Sequence, residues 1–381
     1  MIIEIVFLLG AIHGLFLALI LALKKTNQLP NKLLALLMLV FSIDLGMAAF
    51  YNSQLLSVHP MLIGIDFPIT LLYGPLLFLY VKLMRDGSDT LTVLDYLHFI
   101  PFVVLLIYMI PFFIEPGNEK LAFTKSSMVQ ANSFGFNVLN NLKIVHGLAY
   151  ALCLYFMLNS YRKKLKNSYS SIEKINLNWL QNIVMGAIVL ALVAGSIHFF
   201  SASNTLLMGS GEGLFGNINL LFVTAFIYSI GYMGLYQSEV FSNSEIVPQV
   251  NKRTLLQDQY QKSGLNKNEA EQYVIRIKAV MEEQKIYQQN DLKLSDLAKE
   301  LSLTPHNLTQ ILNQYLDKSF YDFINHYRVE EVKKKLLDSE MNNKTFYALA
   351  LEAGFNSKSS FNSVFKKHTG MTPSEFKKRN L

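Results

Sequence analysis

Seven stretches of this chain are too apolar, and follow one another too closely, to be the helices of a water-soluble domain: Ile2–Leu23, Leu33–Phe50, Phe67–Leu83, Leu97–Ile114, Ile144–Leu158, Trp179–Phe200 and Leu214–Tyr236. A helix rises 1.5 Å per residue, so about 20 apolar residues cross the roughly 30 Å hydrocarbon core of a bilayer. One such helix could form the centre of a soluble fold, but seven in succession leave nothing polar to cover them. The fifth is the shortest and reaches full length only with Leu142 and Lys143 or with Tyr161. The first reads as a retained span, not a cleaved leader: Glu4 stands where a basic stretch belongs, and Lys24 and Lys25 close the run without a small-residue cleavage site.

Basic residues in the short loops set the expected orientation. With the N-terminus outside, the inner loops carry Lys24, Lys25, Lys32, Lys82, Arg85, Arg162, Lys163, Lys164, Lys166 and Lys174, and the outer loops only Lys120, Lys125 and Lys143. The excess predicts a protein of the cytoplasmic (inner) membrane with its C-terminal part in the cytoplasm. The outer segment Glu115–Asn141, with Phe123, Phe134 and Phe136, is a candidate ligand surface.

Ionisable groups at bilayer depth are costly, so each is a functional candidate. Asp44 lies in the middle of the second span, His13, His146 and His198 on the first, fifth and sixth, and His98 near the start of the fourth. For Asp44, ligand or proton sensing and a structural bond to a neighbouring helix stand level; for the histidines, a neutral ring bonded between helices is the plainer reading. Pro75, Pro101 and Pro111 predict bends in the third and fourth spans. The single cysteine, Cys153, excludes an internal disulfide and a cysteine metal site. No HExxH, no carboxylate pair four residues apart and no nucleophile elbow occurs within the spans, so neither catalysis, nor a metal, nor a cofactor is expected.

Near residue 240 the composition changes. Residues 1–240 hold 13 Lys/Arg and 11 Asp/Glu, whereas the much shorter remainder holds 21 and 17, with apolar residues spaced as in soluble helices. The last 41 residues carry seven basic and two acidic side chains, a balance that favours a polyanionic partner. The expected division is a membrane part over 1–236, a connector over 237–268 and a cytoplasmic domain over 269–381. Asn251–Tyr260 reads as a short helix. Asn266, with Glu269 three residues on, opens another that carries Ala270, Tyr273, Val274, Ile277, Val280 and Met281 on one stripe. That stripe packs on its own domain or serves as a dimer contact.

Two similar units follow, about 52 residues apart. In the first, Leu294–Leu301 is a short helix, Ser302-Leu303 a turn, and Thr304-Pro305 a favoured helix start. Leu308, Ile311 and Leu312 face inward, leaving Thr304, His306, Asn307, Thr309, Gln310 and Asn313 outward. In the second, Phe346–Ala353 is the short helix, Gly354-Phe355-Asn356 the turn, and Ser357 caps Lys358–His368. Phe361, Val364 and Phe365 point in, while Lys358, Ser359, Ser360, Asn362, Ser363 and Lys366 point out. Two helices joined by a tight turn make a helix-turn-helix, whose second helix enters the major groove. Amides there suit adenine, lysine suits guanine or phosphate, and hydroxyls serve either. The amphipathic helix Phe320–Leu337 joins the units and would set the reading helices about 34 Å, one DNA turn, apart.

At this point Ile275–Arg379 resembles the AraC/XylS-type DNA-binding domain. The resemblance is carried by the continuous run Ala350–Lys378, with its Gly354-Phe355 turn, Phe361 and Phe365, Phe365-Lys366-Lys367 and the closing Gly370-x-Thr372-Pro373, and by Phe323-Ile324-Asn325-x-x-Arg328. Phe346, Leu349 and Val332 stand where that family usually has Ile, Ile and Ala, which touches packing detail only. The whole order of segments is similar to seven-span regulators of this class in Bacteroidetes-type bacteria. The resemblance implies an all-α chain: a seven-helix transmembrane bundle followed by a cytoplasmic, homeodomain-like pair of helix-turn-helix units that read two grooves of double-stranded promoter DNA. By this analogy His306, Asn307 and Gln310, then Lys358, Ser359, Asn362 and Lys366, make the base contacts. A transcription regulator is expected, with RNA polymerase, an unidentified ligand, the lipid bilayer and a second copy of the chain as further expected partners. A signal would reach the DNA-binding part through Gln237–Asn268. The alternative is a bundle that only anchors, or that transports, fused to a DNA-binding module.

Overall fold

The computed structural model describes residues 2–24, 28–122 apart from 52, 54 and 87, 134–173, part of 178–192, 220–229, and 267–380 apart from 342. The chain is all-α. Among the described residues the one β-type pairing is an isolated antiparallel bridge between Tyr169 and Lys293. Two compact units form, one from Met1–Asn159 with Leu177–Gln249 and the other from Ser160–Asn176 with Val250–Leu381.

In the first unit α1 (Ile2–Leu23) packs along α2 (Gln28–Tyr51), and α3 (Tyr73–Asp86) packs on α2. The approach of α1 to α2 is close enough that a Cβ on Gly14 would come within 2.3 Å of the Ser42 hydroxyl, which would have to turn away. Where bends were expected at the prolines, the third and fourth segments are instead divided into shorter helical pieces. Asp66–Ile69, a 3₁₀ turn over Thr70–Leu72 and α3 follow one another in the third segment. Pro101 and Pro111 open α4 (Ile100–Tyr108) and the short helix Ile110–Ile114, where a missing N–H costs no hydrogen bond. Next, α5 (Phe134–Ser168) is far longer than the expected fifth span. Phe134 and Phe136 therefore stand in its first turn and not in an outer loop; Phe123 lies outside the described residues.

Five of these segments are long and apolar enough to cross a membrane: Glu4–Leu23, Leu29–Tyr51, Pro60–Asp86, Val93–Ile114 and Asn141–Ser168. The apolar helix α6 (Leu220–Ser229) falls within the seventh expected span. Most of the sixth, and the connector 237–266, lie outside the described residues.

The second unit is built on two cores that share one helix, α10 (Phe320–Leu337). Its first half sends Phe320, Phe323 and Ile324 into a core with α7 (Lys267–Glu283), α8 (Leu294–Glu300) and α9 (Pro305–Tyr315). Its second half sends Val329, Val332 and Leu336 into a core with α11 (Phe346–Glu352), α12 (Lys358–Thr369) and α13 (Pro373–Asn380). The stripe of α7 packs on its own unit, with Ala270, Ile277 and Met281 fully buried. Asn266, its expected cap, lies outside the described residues.

Candidate nucleic-acid interface

Local chemistry fixes both helix-turn-helix units. In the first, the Thr304 hydroxyl accepts the Asn307 N–H at 3.2 Å and Pro305 opens α9. In the second, Thr345 accepts from Ala348 at 3.1 Å to start α11, and Ser357 accepts from Ser360 at 3.1 Å to start α12. Each cap satisfies a first-turn N–H that the helix itself leaves open. The turns are related: 52 residues apart, Ser302 takes φ +56° and Gly354 takes φ +98°. Both reversals need the left-handed region, and only the second has the residue that adopts it without strain.

On α9, His306 and Asn313 are exposed with Thr304, while Asn307, Thr309 and Gln310 are half-buried. The Thr309 hydroxyl is turned back on the Pro305 carbonyl at 2.8 Å. Gln310 donates to Gln314 at 3.1 Å, and its own carbonyl oxygen is shielded without a partner. On α12, Lys358, Ser359, Asn362, Ser363 and Lys366 are exposed and Ser357 is half-buried at the cap. Ser360 is the correction: expected to face outward, it is 8% exposed and its hydroxyl donates to Glu173. Its position puts it on the flank of α12 turned toward α10, not on the outward face.

What holds the units together was not foreseen. Arg328 of α10 has no exposed surface. Its Nε donates to the Tyr287 carbonyl at 2.7 Å and its Nη2 to the Gln289 carbonyl at 2.7 Å, while Nη1 and Nη2 reach the Ser170 carbonyl at 3.3 Å and hydroxyl at 3.1 Å. Burial pushes the guanidinium pKa down to about 10, against the opposing pull of Glu173. Gly354 stands against this hub: a Cβ there would lie 2.6 Å from the Tyr287 carbonyl oxygen and 2.9 Å from Arg328 Nε. The Arg328 and Gly354 of the family-like motif are thus two sides of one contact. Ser170, Ser171 and Glu173 were invisible to sequence reasoning, since nothing in Ser170-Ser-Ile-Glu173 names partners that lie 119 to 187 residues further along the chain.

The ionisable residues of the spans are placed differently from one another. Asp44, 7% exposed, accepts from the Tyr73 hydroxyl. His98 Nδ1 shares a hydrogen bond with the Tyr150 hydroxyl at 2.7 Å, and His146 packs on the same ring at 4.8 Å with its Nε2 buried and unpartnered. His13 stacks on Tyr228 at 4.9 Å. His198 lies outside the described residues. Among the described residues no three His, Cys, Asp or Glu side chains form a group that could hold a metal ion.

Comparison with known proteins agrees with the second unit. The family described as a helix-turn-helix domain matches residues 297–379. An uncharacterized HTH-type transcriptional regulator of Staphylococcus aureus (strain COL) is 32% identical over 87 residues, 23% of this chain and 11% of that protein. The melibiose operon regulatory protein of Escherichia coli (strain K12) is 30% identical over 87 residues, 23% of this chain and 28% of that protein. The match therefore spans between 11% and 28% of the length of these curated relatives. A solved structure of a protein of unknown function from Listeria innocua aligns over 28% of this chain and 97% of that one, at 23% identity and a TM-score of 0.25. With its two capped and similarly turned units, the C-terminal region of this chain is a helix-turn-helix domain of the AraC type.

Proposed function

We propose that the protein is a membrane-bound transcription regulator that binds promoter DNA through α9 and α12. The observation that carries this reading is the pair of capped helices on one connecting helix, with exposed His306 and half-buried Asn307 and Gln310 on one, and exposed Lys358, Ser359, Asn362 and Lys366 on the other. The long apolar helices support the membrane part. On α1 and α4 large apolar side chains face outward, with Ile12 63% and Val104 60% exposed, the reverse of a soluble helix. In this reading residues 1–236 form seven spans of the inner membrane with the N-terminus outside, and 237–268 connect them to a cytoplasmic domain over 269–381. The spans act as a sensor: a ligand or membrane state binds two bundle states with different affinity and so alters DNA occupancy. Asp44 and the histidines at 13, 98, 146 and 198 are the candidate sensing groups, and RNA polymerase and a second copy of the chain the further partners.

The test is a genome-wide binding map of the full-length protein beside its Gln310→Ala/Lys358→Ala variant, with membrane fractionation of both. Discrete sites lost in the variant, at unchanged membrane content, support the reading. Identical maps would refute the assigned surface. Replacing the spans by unrelated ones separates sensing, which would be lost, from passive anchoring, which would leave regulation intact.

A further inference from the structure

The segment that follows α5 does not hang free as a loop. Tyr169 pairs with Lys293, and the Ser170 N–H and hydroxyl both donate to the Leu292 carbonyl, at 3.2 and 2.8 Å. The Ser170 carbonyl accepts from Asn325 at 3.1 Å and from Arg328, and the Ser171 hydroxyl donates to the Asn290 carbonyl at 3.0 Å. Ser170 is 1% and Ile172 6% exposed. The segment ends with the Glu173 carboxylate accepting from Ser360, in the first turn of α12. It thus touches the first helix-turn-helix unit, the connecting helix and the second reading helix at once, all within one compact unit.

We propose that Tyr169–Glu173 is an autoinhibitory latch, seated so that the Glu173 carboxylate denies DNA phosphates the N-terminal turn of α12. The proposal rests on the reading of this unit as DNA-binding. The first turn of a helix carries the positive end of its dipole, and the bond from the Ser360 hydroxyl brings the Glu173 carboxylate to that turn. Protein–DNA contacts use the same end of a helix to hold phosphates, and two anions repel there. The latch is covalently tethered, so its effective concentration is of millimolar order and modest affinity suffices. Because the segment continues directly from α5 in the chain, a signal that displaces α5 is transmitted to α12 by the shortest covalent route, without passing through 237–268.

The experiment uses the full-length protein in lipid discs with Cys153→Ser, Glu173→Cys and Ser360→Cys, joined by a short bis-methanethiosulfonate and released by a reductant. The probe is a duplex selected from a random library by the Glu173→Gln variant. The latch predicts at least tenfold weaker binding when cross-linked than after reduction. Glu173→Gln alone, which needs no cross-link, should bind at least threefold tighter than the unmodified chain. Equal affinity of cross-linked and reduced protein, or no gain from Glu173→Gln, overturns the latch alone. Failure of every variant to bind any duplex overturns both the latch and the DNA-binding reading.

Discussion

Replacing Gly354 by alanine probes the join between the two helix-turn-helix units. Two costs add. A left-handed φ of +98° is strained for any residue with a Cβ, by about 1–2 kcal/mol. The new methyl would also stand 2.6 Å from the Tyr287 and 2.9 Å from the Gln288 carbonyl oxygens, backbone atoms that cannot swing aside. Overpacking of that kind costs about 1–3 kcal/mol. A total near 3 kcal/mol is a large share of the roughly 5–15 kcal/mol that stabilises a domain. At about 1.4 kcal/mol per factor of ten, the opening equilibrium of α11 and α12 rises roughly 100-fold. Hydrogen exchange of the detergent-solubilised protein reads this directly, peptide by peptide. Ser302→Gly is the matched control: at φ +56° and exposed, it relieves strain without creating a clash, and exchange of α8 and α9 should slow or stay level. Exchange within threefold of the parent in Gly354→Ala would refute the argument from strain and contact.

Arg328→Lys keeps a charge but cannot span both the Tyr287 and Gln289 carbonyls, so buried acceptors lose their donor; we expect a loss of about 2–4 kcal/mol in thermal unfolding of the second unit, with Arg328→Met no milder. His326 and His368, with ring centroids 6.0 Å apart, have pKa values lowered first by burial and then by neighbouring lysines. Their neutral forms are favoured in the folded state, so their contribution is full above the unfolded value of about 6.5 and is lost as pH falls through the folded values. Denaturant midpoints should drop from pH 7 to pH 5, and His326→Asn/His368→Asn should flatten that slope.

The sequence carries the second unit well because its signals are local. Thr304-Pro305, Ser357 and Gly354 are decided by their own turns, and period 3.6 sorts Phe361, Val364 and Phe365 from Lys358 and Asn362. The apolar segments were equally plain, since span length follows from bilayer thickness. Non-local features were not legible. Ser360 was placed outward because nothing adjacent to it names Glu173, 187 residues earlier, as its partner. Likewise α5 outran its apolar stretch at both ends, because polar residues such as Asn137 and Arg162 continue a helix without adding to its hydropathy. Ser302 shows the opposite limit: it takes a left-handed φ of +56° that a serine does not favour, so its residue type does not announce the turn.

The most direct measurement is a hydroxyl-radical footprint of a selected duplex on membrane vesicles carrying the full-length protein. Inverted vesicles should protect two patches on one face of the DNA, about 34 Å apart, and right-side-out vesicles none. A single patch, or protection confined to right-side-out vesicles, would contradict two groove-reading helices held at the inner face of the membrane.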